Sequence, residues 1–180
     1  QKTAYEMRRS LVGSEMCIRD SNTGNCVVGN MGSDQRFDYS VLGDAVNLAS
    51  RLEGLTKNYR VPMLVSEDSK NLISHLEEFN WRFLDRITVK GKKEPVRIFE
   101  VFNEHSDKNY ENKLKAAGLF EEVLNPYLKR SWEEAIEGFK ECESLLPEDA
   151  SIEMYLTRAQ DFQQSPPAED WDGVHRYFNK

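Results

Sequence analysis

The 180-residue sequence has few of the features that mark membrane, secreted or metal-binding proteins. It contains no apolar run of membrane-spanning length and no recognisable secretory signal. Its three cysteines, Cys17, Cys26 and Cys142, are too far apart to suggest a disulfide framework or a zinc site. This cysteine usage fits a reducing, cytoplasmic setting.

The negative charge is distributed unevenly along the chain. Lysines and arginines number 11 against 11 aspartates and glutamates in residues 22–103, but 9 against 17 in residues 104–180. This shift predicts a boundary near Asn103 between a neutral segment and an acidic tail. It also argues against nucleic-acid binding by the tail, because phosphates would be repelled.

The first 21 residues do not continue the pattern of the segment that follows them. The string from Ala4 to Asp20 resembles a translated sequencing-adapter sequence that recurs at the ends of metagenomic reading frames. Residues 1–21 are therefore predicted to be a non-native leader, which is excluded from fold reasoning. The alternative is an ordinary amphipathic helix.

The most informative string covers residues 36–53 and passes from a strand-like segment through a glycine turn into a helix. Within that helix Asn47 and Arg51 are one turn apart, so both project from the same face. An amide beside a permanent cation suits a phosphoryl group that gains negative charge. Gly43 permits the sharp turn, and Asp44 is predicted to cap the helix.

Strand and helix signals alternate over residues 22–103 and predict an α/β sandwich. A hairpin turn is predicted around residues 31–35. The predicted strands are 26–28, 37–42, 63–65, 81–89 and 96–102. The predicted helices are 45–57 and 67–76, and the apolar stripe expected on the first is Val46, Ala49, Leu52 and Leu55.

In this order, the segments resemble the C-terminal half of the catalytic domain of class III nucleotidyl cyclases, most closely the bacterial adenylate cyclases. The segments that carry the resemblance are 22–33, 36–53, 62–67, 84–92 and 95–101. The resemblance covers about residues 22–103 and implies an α/β (α+β) fold, the second half of a ferredoxin-like domain. It also implies conversion of ATP to 3′,5′-cyclic AMP and pyrophosphate.

The resemblance implies a role for each of four residues. Asn47 would orient the ribose, and Arg51 would stabilise the α-phosphate in the transition state. Ser40 occupies the purine-contacting position, where adenylate cyclases carry threonine or aspartate and guanylate cyclases usually cysteine. A serine hydroxyl there favours ATP without excluding GTP. Lys90 best matches a lysine that binds the terminal phosphates, with Lys92 as the alternative.

From the residues alone, simpler interpretations stay open. Asn47 could satisfy nearby backbone groups, and Arg51 could lie on a solvated helix face. Ser40 could be a strand serine that contacts no ligand. Lys90 could belong to a solvated basic hairpin, whose members would be Arg86, Lys90, Lys92, Lys93 and Arg97.

The metal-binding aspartates of the family have no counterpart in this sequence. Asp34, Asp38 and Asp44 suggest a metal site at first sight, but helix capping explains Asp44 better, and the family's two aspartates and base-selecting lysine belong upstream of Asn22. The resemblance implies Mg²⁺ or Mn²⁺ and a site at a homodimer interface, where one subunit supplies aspartates and the other asparagine and arginine. We therefore expect this chain to be inactive alone and a full-length parent to be active.

The acidic tail is predicted to be helical from residue 112 to residue 162. Five residues fit the second helix and exit of a tetratricopeptide repeat, namely Trp132, Ala135, Phe139, Cys142 and Pro147. Further helices are predicted at 112–129 and 150–162. One and a half repeats cannot stand alone, so their apolar faces must dock on the cyclase-like segment, on a dimer mate or on each other. The predicted tail core is Phe120, Leu124, Trp132, Ile136 and Phe139.

Residues 165–173 are predicted to break the last helix and to end the chain in an exposed segment. Tails that close on Trp-Asp-Gly, as at residues 171–173 here, resemble those of bacterial adenylate cyclases with an extracytoplasmic sensor region. That resemblance implies a membrane-anchored parent with this portion in the cytoplasm. Two other functions stay open: a degenerate cyclase domain that senses nucleotides or dimerises, and a helical-repeat interaction protein. Asn47 and Arg51 count against both, because neither function needs that pair.

Overall fold

A computed structural model describes residues 19–33, 36–75, 79–88, 94–103 and 109–176, and the statements below concern those residues. The described chain forms seven strands and five helices. The strands are β1 (Arg19–Ser21), β2 (Val27–Ser33), β3 (Arg36–Leu42), β4 (Met63–Ser66), β5 (Asn80–Thr88), β6 (Val96–Phe102) and β7 (His175–Arg176). The helices are α1 (Asp44–Tyr59), α2 (Glu67–Ile73), α3 (Tyr110–Leu128), α4 (Trp132–Leu145) and α5 (Ala150–Gln164).

Five strands form a mixed sheet in the spatial order β1-β4-β6-β5-β7. β5 and β6 are its antiparallel centre, as expected for the closing pair of strands, and their register shifts between Phe83 and Asp85. β1 runs parallel to β4 and β7 runs parallel to β5. Residues 19–21, which the sequence assigns to the leader, form a paired strand of this sheet, and residues 1–18 lie outside the described part.

The hairpin of β2 and β3 is a separate two-stranded sheet, and its register pairs Gly29 with Ser40 and Gly32 with Phe37. The sequence predicts only residues 26–28 as the first strand, because Gly29 and Gly32 resemble turn signals. The strand continues through both glycines because its ladder with β3 overrides their low strand propensity. The resulting hairpin is longer than the sequence predicts.

Helix α1 spans the predicted region and buries half of the predicted stripe. Its buried residues are Leu48, Leu52, Leu55, Thr56 and Tyr59. Leu52 and Leu55 are thus confirmed, while Val46 and Ala49, which the sequence placed in the stripe, are only half-buried. The buried face packs on Leu64, Leu84, Ile87 and Ile98 of the sheet.

The tail folds into three helices at the predicted places. Asp149 caps α5, because its carboxylate accepts the backbone N–H groups of Ser151 and Ile152, both at 3.1 Å. Three of the predicted core residues, Phe120, Ile136 and Phe139, are buried, and the other two, Leu124 and Trp132, are half-buried and pack against that core. The likeness of this arrangement to a tetratricopeptide repeat stays a prediction.

The tail helices pack on each other and on the sheet of their own chain, which are two of the three alternatives left open by the sequence. Phe83 and Phe99 of the sheet belong to the same apolar core as the tail helices. Buried charges accompany this core: Arg82 contacts Glu100 at 2.8 Å and Asp149 at 2.7 Å. Lys113 of α3 contacts the other oxygen of Glu100 at 2.7 Å.

The segment after α5 folds back on the tail. Trp171 packs against Tyr127, Trp132 and Phe162, with ring centroids 5.2–5.7 Å apart. The guanidinium of Arg130 donates to the carbonyls of residues 168 and 169 at 2.7 and 2.9 Å. The chain then joins the sheet as β7. The prediction of an exposed chain end therefore holds for most side chains of 165–170 and is wrong for Trp171, because its large ring fills an aromatic cluster.

We predict that the buried ion pairs of Arg82 are required for the tail to stay docked. Arg82→Met leaves the carboxylates of Glu100 and Asp149 without this partner in a buried place, and we expect a loss of about 3–5 kcal/mol in the free energy of unfolding. The control is Arg176→Met, which removes an exposed pair with Asp172 and should change that free energy by only about 0.3–0.5 kcal/mol. Urea unfolding of both variants measures the difference, and equal losses would contradict the prediction.

Candidate functional site

The junction between β3 and α1 is the backbone feature that places the candidate site residues. Gly43 stands between the two elements, and a Cβ added to it would lie 2.9 Å from the carbonyl oxygen of Asn25 and 3.2 Å from the Cα of Cys26. Only glycine therefore allows the chain to pass this close to the segment before β2. The tight passage fixes the direction in which α1 leaves the hairpin.

The predicted capping role of Asp44 is wrong in the structure. Gly43 occupies the N-cap position, and no side chain accepts a hydrogen bond there. Asp44 is instead the first residue of α1, where its carboxylate interacts favourably with the positive end of the helix dipole. The turn geometry explains the difference, because Gly43 rather than Asp44 takes the non-helical conformation.

Asn47 and Arg51 lie one turn apart on α1, as the sequence predicts. Asn47 is exposed and Arg51 is half-buried, and both follow the flank of the stripe formed by Leu48, Leu52 and Leu55. The backbone N–H of Asn47 donates to the Gly43 carbonyl at 3.1 Å, an ordinary helical bond. Among the described residues, no hydrogen bond or ion pair engages either side chain, so an amide and a guanidinium are available to a ligand.

The structure describes Ser40 but not Lys90. Ser40 is half-buried on β3, three residues before Gly43, and its Oγ donates weakly to the Asp38 carbonyl at 3.3 Å. It therefore lies in the strand that leads directly into α1. Lys90 and its alternative Lys92 lie outside the described residues.

Two members of the predicted basic cluster can be placed, and both have partners. Arg97 forms an ion pair with Glu67 at 2.8 Å. Arg86 is exposed, and its guanidinium donates to the Asp172 carbonyl at 3.4 Å. Arg97 therefore already has an anionic partner within the chain, and the role of Lys90 stays a prediction.

An exposed apolar surface on the hairpin was not anticipated from the sequence. Tyr39 is 76% exposed, Val27 66% and Leu42 57%, and Val28 and Val41 are exposed as well. Because directly opposed residues share a face, Val27 and Leu42 lie on one face of the hairpin, and Val28, Tyr39 and Val41 lie on the other. Exposed apolar residues clustered in this way mark an interface or a face that another part of a domain covers. The available signal was the alternation of apolar residues in 37–42, which predicts one apolar strand face.

The described residues do not fit a catalytic metal. Within them, no group of three or more His, Cys, Asp and Glu side chains is placed to hold an ion. Asp38 and Asp44 are both exposed, and Asp34 lies outside the described part.

No helix in the described ranges is long and apolar enough to cross a bilayer.

The chain is similar to known nucleotidyl cyclases. The family model described as the adenylate and guanylate cyclase catalytic domain matches residues 20–102. An adenylate cyclase of Anabaena cylindrica is 46% identical over 79 residues, which are 43% of this chain and 16% of that protein. The crystal structure of the adenylyl cyclase CyaB from P. aeruginosa is similar at 39% identity and a TM-score of 0.39, over 44% of this chain and 38% of that one. The family model and the Anabaena relative support a class III nucleotidyl cyclase segment.

A second relative extends the similarity beyond that segment. The terminal-differentiation-specific adenylate cyclase of Dictyostelium discoideum is 35% identical over 138 residues, which are 76% of this chain and 6% of that protein. Because 138 aligned residues cannot fit within residues 1–102, the alignment continues into the helical tail. The chain therefore spans only a small fraction of the curated relatives it matches.

We predict opposite effects of alanine at two glycines near the site. Gly43→Ala introduces a Cβ against backbone atoms of residues 25 and 26, and we expect a loss of about 1–3 kcal/mol in unfolding free energy. Gly54→Ala, inside α1 with nothing within 4 Å of its Cβ, should raise it by roughly 0.5–1 kcal/mol because alanine is the better helix former. Thermal or urea unfolding measures both, and a neutral Gly43→Ala would contradict the proposed close passage.

Proposed function

We propose that this chain is the C-terminal half of a cyclase catalytic domain, and that the complete protein converts ATP to 3′,5′-cyclic AMP and pyrophosphate. The observation that carries this proposal is the pair of Asn47 and Arg51. Both side chains are unengaged among the described residues, one turn apart, in a segment that matches the family. A half-buried guanidinium without an anionic partner is unfavourable unless a ligand or another chain provides one.

The residues of this chain would act on the nucleotide by position and charge. In the reaction the 3′-oxygen of ATP bonds to the α-phosphorus, the bond from that phosphorus to the bridging oxygen breaks, and pyrophosphate leaves. Arg51 would donate hydrogen bonds to the α-phosphate oxygens, where negative charge increases. Asn47 would hold the ribose with its reacting hydroxyl in line. Ser40 would meet the purine edge, and Lys90 would neutralise the terminal phosphates.

The remaining half of the site would come from residues outside this chain. Divalent Mg²⁺ or Mn²⁺, which the family resemblance implies, would be held there rather than by the described aspartates. The exposed apolar residues Val27, Tyr39 and Leu42 of the hairpin support an interface beside α1. A homodimer through this region would bring Asn47 and Arg51 of one subunit to the other subunit's share of the site. This chain alone would then be inactive.

The setting of the complete protein is also a proposal. We place this portion in the cytoplasm of a bacterial, membrane-anchored protein, on the resemblance of its tail to those of sensor-linked cyclases. The tail would be tetratricopeptide-like and could offer a surface to a protein partner. Cys26 and Cys142 are both free thiols, which fits a reducing compartment.

Removal of Arg51 from the complete protein tests the proposal. Arg51→Ala should lower turnover of ATP by roughly 10²–10³-fold, the usual effect of losing a preorganised charge donor. Lys57→Ala is the matched control, because it removes an exposed cation from the same helix and should leave turnover unchanged. Cyclic nucleotide formed from ATP and from GTP is measured with Mn²⁺ supplied. Normal turnover in Arg51→Ala would exclude Arg51 from the mechanism.

Complementation tests whether this chain supplies half of a shared site. The 180-residue chain is mixed with a cyclase chain that retains its metal-binding aspartates but lacks its own transition-state arginine. Cyclic AMP should form only in the mixture, and not when the added chain carries Arg51→Ala. Product formed equally with the Arg51→Ala chain would show that the activity comes from elsewhere.

A further inference from the structure

The carboxylate of Asp85 joins the candidate catalytic helix to the helical tail. Asp85 lies on β5 beside the register shift and is fully buried. Tyr59, the last residue of α1, donates from its hydroxyl to Oδ2 at 2.8 Å. Tyr155 of α5 donates to Oδ1 at 2.8 Å, and Arg158 of α5 donates from Nη1 to Oδ2 at 2.9 Å.

These contacts fill the acceptor capacity of one buried carboxylate. The backbone N–H of Arg86 adds a fourth donor, to Oδ1 at 2.8 Å, and an ionised carboxylate offers about four acceptor positions. A buried carboxylate is strongly destabilising unless it is paired and hydrogen-bonded. Removing either helix from this cluster would leave part of that requirement unmet, so the positions of α1 and α5 depend on each other.

Tyr155 and Arg158 keep their protons at neutral pH. Burial raises the pKa of Tyr155 well above its ordinary value, and the nearby Asp85 raises it further. Burial alone would lower the pKa of Arg158, but the Asp85 carboxylate together with the nearby Tyr155 and Tyr59 outweighs it, and the pKa lies above its ordinary value. These two side chains therefore remain donors to Asp85 at neutral pH.

The cluster is too far from the candidate site to contact a nucleotide. Tyr59 follows Arg51 by eight residues and Asn47 by twelve, which at 1.5 Å per residue places it about 12 and 18 Å along the helix. It can influence the site only through the position of α1. A displacement of a catalytic group by about 1 Å can lower turnover by up to 10²-fold.

We propose that the helical tail is a positioning element of the nucleotide site: Tyr155 and Arg158 act through Asp85 and Tyr59 to set the orientation of α1, and with it Asn47 and Arg51. This inference rests on the proposed cyclase function. It makes the tail part of the catalytic unit rather than an appended binding module. The Dictyostelium relative supports this, because its similarity to this chain continues from the cyclase segment into the tail.

A second buried carboxylate provides the matched control. Glu100 of β6 is as buried as Asp85 and takes a tail cation, Lys113, at 2.7 Å. Lys113 is 13% exposed and Arg158 is 14% exposed. Both cations therefore hold the tail on the sheet through a buried acid, but only the Asp85 cluster includes a residue of α1.

The test compares Arg158→Met with Lys113→Met in the complete protein, with turnover expressed per folded enzyme. Arg158→Met should lower kcat by roughly 10–100-fold and leave the KM for ATP nearly unchanged, while Lys113→Met should leave kcat within about twofold. In an Arg51→Ala background, Arg158→Met should have little further effect, because the two changes remove the same interaction. Arg158→Lys, which keeps the charge, should restore part of kcat.

Two kinetic results would overturn the inference. Arg158→Met could lower kcat by the same factor with and without Arg51, or Lys113→Met could lower it as much as Arg158→Met; either would show a structural role only. If Arg158→Met does not fold, Tyr155→Phe removes a single hydroxyl from the same cluster and is judged by the same comparison.

Hydrogen exchange on the 180-residue chain separates a failure of this inference from a failure of the proposed function. Arg158→Met should speed amide exchange in the second half of α1, and Lys113→Met should not. If the unaltered complete protein forms no cyclic nucleotide, the proposed function fails. The exchange result alone then shows whether Arg158 holds α1 in place through Asp85. Unchanged exchange in α1 would overturn it.

Discussion

The buried acids of β5 and β6 are the constraint on which the rest of the structure depends. Asp85 and Glu100 are fully buried, and neither would be tolerated without cations and hydrogen-bond donors around it. The tail supplies Lys113 and Arg158 as two of those cations. Since a sheet with such acids needs the tail, and a three-helix tail of this size needs an apolar surface, the two parts stabilise each other.

The same contacts explain why the tail forms one body with the sheet. Phe83 and Phe99 meet edge to face at 5.7 Å and join the core of α3, α4 and α5. Apolar burial provides most of the stabilisation, while the charged groups fix the register, because each ion pair is satisfied in only one arrangement. The tail beyond the predicted boundary near Asn103 thus shares an apolar core with the sheet.

Local patterns predicted much of this molecule. The order of strands and helices, the hairpin, the three tail helices and the shared face of Asn47 and Arg51 all follow from periodicity and turn residues. The errors come from tertiary contacts. β2 continues through Gly29 because its partner strand is present, and Gly43 rather than Asp44 is the N-cap of α1 because the backbone passes close to Asn25. Arg82 and Asp85 look like ordinary strand charges in the sequence, since their partners are distant in the chain.

The distribution of partners among the arginines separates structural from functional roles. Arg82 and Arg158 each contact carboxylates within 3 Å, so their charges are used in holding the fold. Arg51 is half-buried on α1 and has no such partner among the described residues. Partial desolvation of a guanidinium without compensation is unfavourable, and the fold tolerates it beside an exposed apolar hairpin. The proposed nucleotide site at a subunit interface would account for both features, because an anion would pair with Arg51 and a second protein surface would cover the hairpin.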